Sequence, residues 1–159
     1  MVVESSPGGI KMKARTNNMA GLTDNLDKNM GFKGFENEKG PIYFTGKSHH
    51  NYYNRMIRET ETGAEDRENL SLFYILSSIK KFRDAPGKFI FLKNIRPNPQ
   101  AFRELLSREE QALIQLAFYL YSGKDIFKIG VLDLFNNLDE ERADIAIDAI
   151  KLRFNLKMV

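Results

Sequence analysis

The chain has no cysteine, only two histidines, and no apolar run approaching the length of a membrane span. The missing cysteines exclude a disulfide framework and a thiolate zinc site, and they suit a reducing cytoplasm. The N-terminus, MVVESSPGGIKMKAR, has no apolar core after a basic start, so no export signal is expected. What the chain has in quantity is core material. Of its 159 residues 42% are hydrophobic and 11% aromatic, enough for one domain with a real interior plus an arm.

The two histidines sit in GPIYFTGKSHHNYY, Gly40 to Tyr53, which has the look of a phosphate-binding loop. Such a loop needs four residues between its first glycine and Gly-Lys-Ser, so that successive N–H groups wrap the phosphates. Five intervene between Gly40 and Gly46, and Ile42, Tyr43 and Phe44 are bulky where a phosphate must approach. The triplet is therefore read as the start of a helix. His49 and His50 are adjacent, so on a helix they point about 100° apart, whereas paired helical ligands stand four residues apart. They are expected to be a surface pair, with no metal and no cofactor.

Residues 1 to about 41 hold six of the eleven glycines and few apolar residues, the composition of a flexible arm with one helical turn near Met19 to Met30. The domain is expected over 42–159. Thr45 or Ser48 should cap a first helix running to about Thr60, with Tyr52, Tyr53, Met56 and Ile57 on its apolar side. A second helix, Asp66 to Phe82, is apolar nearly all round and hence buried. The segment KFIFLKNIRPNP fits either a short strand or an irregular apolar stretch, ended by Pro97 and Pro99. A short helix to Leu106 follows. Ser107 and Glu110 then have the spacing of a capping box opening a second central helix, Arg108 to Tyr121, that stops at Ser122-Gly123. Val131 to Asn136 reads as a short helix or turn. Asp139 should cap a last helix whose inward residues are Ile145, Ala146, Ala149, Ile150 and Phe154. The fold class is mainly α: a single helical domain of about five helices around two buried central ones, with at most one short β pair.

Converging catalytic groups are scarce. No serine sits in a nucleophile elbow, and the carboxylates Asp139, Glu140, Glu141 and Asp144 are explained by the macrodipole of the helix they open. The chain is read as non-enzymatic. Its sharpest electrostatic feature lies between Lys80 and Arg103, where seven cations (Lys80, Lys81, Arg83, Lys88, Lys93, Arg96, Arg103) face one acid, Asp84. Phe82, Phe89, Phe91 and Phe102 interleave with them. Those rings either stack on single-stranded nucleic acid or face the core while the cations reach into water, and the second arrangement is the expected one. Lys80, Lys81, Arg83, Lys88, Lys93 and Arg96 are the candidate partner-binding residues, suited to an anionic surface.

LFYIL at Leu72 to Leu76, LAFYLYSG at Leu116 to Gly123, and DEERADIAIDAIKLRF at Asp139 to Phe154 resemble a family of small proteins of unknown function from Gram-positive bacteria and their mobile elements. That resemblance covers about 43–156 and leaves out the arm. With the arm included, the chain is similar to the staphylococcal type II anti-CRISPR inhibitors. The similarity implies a cofactor-free protein acting in the cytoplasm of a bacterial host. Its implied partner is an RNA-guided CRISPR effector nuclease, with direct nucleic-acid contact secondary and no membrane. Inhibitors that imitate DNA are acidic, whereas this chain has a net charge of +3 and a pI near 9.0. It is expected to hold a nuclease domain or to block its movement. The alternative is a nucleic-acid-binding accessory or regulatory protein using the same basic stretch.

Overall fold

Helix α2, Arg67–Ser78, is the axis of the fold, and its sequence explains why. Every residue from Leu70 to Ser77 is buried, as a helix apolar on all sides must be. Asp66 starts it by accepting the N–H of Asn69 at 3.1 Å. Around α2 pack α1 (Lys47–Glu59), α6 (Arg108–Ser122) and α8 (Glu140–Phe154). The computed structural model describes residues 42–91, 95–125 and 127–156. The arm expected over 1–41 and Lys93 lie outside these residues.

Among the described residues there are eight helices and one two-stranded antiparallel pair. The short elements are α3 (Lys80–Asp84), α4 (Pro86–Phe89), β1 (Ile90–Phe91), β2 (Arg96–Pro97), α5 (Pro99–Leu105) and α7 (Val131–Asn136). The mainly α class with two buried central helices is as expected. α6 carries the second of these. Ser107 and Glu110 form the capping box, each side chain bonded to the other's backbone N–H. Gly123, at φ 67°, ends the helix in the left-handed conformation that favours glycine. Asp139 caps α8 by accepting the N–H of Arg142 at 2.9 Å.

Four expectations are corrected. The helix expected over Asp66 to Phe82 is two helices, because Ile79 adopts φ −87° and ψ 111° and turns the chain between α2 and α3. Neither Thr45 nor Ser48 caps α1. Gly46 is its N-cap, without a side-chain bond, and the Thr45 hydroxyl lies 3.5 Å from His49 Nδ1 instead. Phe154 faces outward, 61% exposed, and Leu152 takes the inward position. His49 is not a surface residue but is 1% exposed.

Candidate functional site

The Gly-Lys-Ser segment is the first place to look, and its geometry is structural. Gly46 has an extended φ of 162° that any residue adopts, and a Cβ there would meet nothing within 4 Å. Three residues on, His49 lies on one line with Tyr53 and Ile57, the buried side of α1. Its Nδ1 accepts the Thr45 N–H at 3.3 Å, so the proton is on Nε2, which donates to the Tyr74 carbonyl at 2.9 Å. Burial disfavours the imidazolium and lowers its pKa to about 4. Phe44 packs edge-on to both His49 and His50.

The same region fastens the chain's entry into the helical body. The Tyr74 hydroxyl donates to the Tyr43 carbonyl, and the Tyr43 N–H donates to Asp148 Oδ2 at 3.2 Å. Asp148 Oδ1 in turn accepts from Lys151 at 3.1 Å. Burial raises the Tyr74 phenol pKa, with the nearby Asp148 charge adding to it, so the hydroxyl stays a donor. Among the described residues no three His, Cys, Asp or Glu stand together where they could hold a metal ion.

A polar cleft of about 140 Å³ opens at the α2–α3 turn, lined in part by Ser78, Lys80, Glu110, Glu141 and Arg142. Three of its charges are already engaged: Lys80 with Asp84 at 2.6 Å, Glu110 with Lys81 at 2.8 Å, and Arg142 with Asp139. The cleft is a meeting of ion pairs.

The basic stretch divides in two. Its first three cations are tied to the protein itself. Lys80 and Lys81 are in the ion pairs just named, and Arg83 Nη1 donates to the carbonyls of Ser77 at 2.6 Å and Ser78 at 2.9 Å. The guanidinium thereby satisfies carbonyls that the end of α2 leaves open. Lys88 on α4, Arg96 on β2 and Arg103 on α5 are exposed, and among the described residues their side chains have no hydrogen-bond or ion-pair partner. Arg103, not among the candidate partner-binding residues read from the sequence, shares this exposed state with Lys88 and Arg96. The signal was available in the sequence, since it follows directly on the core-facing Phe102.

These three cations ride on a well-anchored segment. Ile90 pairs with Pro97 and Phe91 with Arg96 across the strands, and the Asn98 N–H donates to the Phe89 carbonyl at 2.8 Å. Ile90 is buried, so pleat alternation puts Arg96 on the opposite, outer face. Beneath, Phe82, Phe89 and Phe102 are all buried, and their rings run in series to Phe118 of α6 at centroid spacings of 6.4, 6.5 and 6.3 Å. For these three rings the core-facing arrangement holds, and cations outside with phenylalanines inside is the amphipathic division expected of such a stretch.

Fold and surface together define a small, mainly helical protein with an outward-facing cationic segment. Residues 39–158 match the family model described as a family of unknown function, DUF6075, and the chain belongs to that family. Neither a curated protein nor a solved structure matches it.

Proposed function

We propose that this protein is a non-enzymatic inhibitor that binds an RNA-guided type II CRISPR DNA nuclease and blocks DNA cleavage by holding one of its nuclease domains. The observation that carries the reading is the trio Lys88, Arg96 and Arg103, exposed and without internal partners among the described residues, on a segment anchored by buried rings. A positively charged body is repelled from the equally positive channel that holds the guide–target duplex. It is attracted to carboxylate-rich surfaces, of which the metal-binding centre of a nuclease domain is one. The backbone that carries these cations is already held, so binding need order only their side chains, which favours a tight protein complex. The resemblance to type II anti-CRISPR inhibitors supplies the partner class.

The test is a cleavage assay with a panel of guide-loaded type II nucleases from Gram-positive hosts. Cleavage should stop for at least one of them, even when the target DNA is bound before the inhibitor is added. Reversing Lys88, Arg96 and Arg103 to glutamate should restore cleavage, while reversing Lys80 should not. Binding confined to the empty nuclease and lost to target DNA would refute the domain-holding mechanism.

A further inference from the structure

Helix α1 packs principally on α2, and its outer side carries a second surface that the basic stretch does not include. Lys47, Asn51, Asn54, Arg55 and Arg58 recur at helical spacing and fall on one stripe opposite His49, Tyr53 and Ile57. Lys47, Asn51 and Arg58 are exposed, and among the described residues their side chains have no partner. Asn54 is oriented by its Nδ2, which donates to His50 Nε2 at 3.0 Å. The one acid of the helix, Glu59, lies at its C-terminal end, 3.9 Å from Arg55. The carboxylates Glu61 and Glu65 follow past that end, so the anion-seeking part of the stripe is the run from Lys47 to Arg58.

We infer that this stripe is a docking face for double-stranded DNA. Three features select that occupant. The stripe mixes cations with amides, the pairing that grips phosphates and reads base edges, since asparagine can donate to and accept from an adenine. It lacks the apolar or aromatic anchor at the centre of protein–protein interfaces, which speaks against an acidic protein as occupant. It also offers no free ring for stacking on single strands. Tyr52, at one flank, has Arg55 4.2 Å above its ring and Phe82 edge-on at 6.2 Å, and His50, at the other, is held by Asn54 and by Phe44 edge-on. From Lys47 to Arg58 the helix spans about 17 Å, and the major groove of B-DNA admits a helix, whereas that of A-form RNA does not. This face is independent of the nuclease-binding reading.

The experiment is fluorescence anisotropy of the full chain with a labelled duplex of about 20 base pairs, its single strand and the matching RNA duplex. At about 50 mM salt the DNA duplex should bind most tightly, with affinity falling steeply as salt rises. The double variant Lys47→Glu, Arg58→Glu should bind at least about tenfold more weakly and lower the salt slope by about 1.8, two phosphate contacts at about 0.9 each. Asn51→Ala should weaken binding while leaving that slope in place. Circular dichroism melts of these variants should match the parent, because all three positions are exposed. Reversing Lys88, Arg96 and Arg103 removes six units of charge from a chain of net charge +3, so it should weaken duplex binding through long-range repulsion, but by less than the double variant does and with the salt slope in place. Absence of duplex binding at low salt, a preference for single strands or RNA, or equal loss from both sets of reversals would overturn the inference. Capture of an acidic protein by this face in place of duplex would do so as well. Nuclease inhibition that survives the Lys47, Arg58 double variant separates the two surfaces, since loss of one readout leaves the other standing.

Discussion

The Nε2 of His49 donates to the carbonyl of Tyr74, 2.9 Å away, joining the first turn of α1 to the middle of α2. That carbonyl also accepts from the Ser77 hydroxyl at 2.9 Å, so the imidazole bonds to a backbone group deep in the central helix.

A pH dependence follows from this bond. Above about pH 6.5 the imidazole is neutral in both folded and unfolded chains and adds no slope. Below it the unfolded chain takes up a proton that the folded chain refuses until about pH 4. Stability therefore falls as pH drops from 6.5 to 4, by an amount on the order of 3 kcal/mol. Urea titrations at pH 7, 6, 5 and 4 measure it. His49→Gln, which keeps a donor and cannot titrate, should flatten the difference between pH 7 and pH 5. An unchanged pH profile in that variant would remove His49 as the cause.

Arg83 is the second lever on stability. Arg83→Ala leaves the Ser77 and Ser78 carbonyls without the guanidinium that now bonds both, and should cost about 2–3 kcal/mol in denaturant unfolding. Arg83→Lys keeps a positive charge at the C-terminal end of α2 but loses the planar fork, and should recover less than half of that loss.

Glu110 and Lys81 should respond unequally. Glu110 Oε2 accepts both the Ser107 N–H and Lys81 Nζ, each at 2.8 Å. Glu110→Ala breaks the capping box and should cost roughly 1–2 kcal/mol, whereas Lys81→Ala should cost under about 1 kcal/mol, because the lysine is half exposed. A double-mutant cycle with a coupling below about 1 kcal/mol confirms this ordering. A coupling well above that value would place the ion pair, and not the capping box, at the base of α6.

Much of this architecture can be read from local chemistry. Ser107 with Glu110, Asp139, and Gly123 mark helix ends because caps act within four residues, and the all-round apolar character of α2 announces its burial. The break at Ile79 left no such mark. Apolar periodicity runs through it unchanged, and what fixes the turn is Arg83 reaching back to carbonyls five and six residues earlier. His49 was legible in principle, since it precedes Tyr53 and Ile57 by four and eight positions. Its neighbour His50 disguised it as half of a polar pair. The fate of Lys80 was legible, since Asp84 stands four residues on, but that of Lys81 was not, because it meets Glu110 across 29 residues of sequence. Charge density along the chain located the basic segment, but only the folded structure separates Lys81 and Arg83 from Lys88, Arg96 and Arg103.

The series of rings from Phe82 to Phe118 has one more effect. A load applied at Lys88 or Arg103 meets the stacked rings of Phe89 and Phe102 and passes by a tilted contact to Phe118 in the C-terminal half of α6. Capture of that segment by any partner should therefore slow amide hydrogen exchange around Phe118 of α6 as well as at the contact itself.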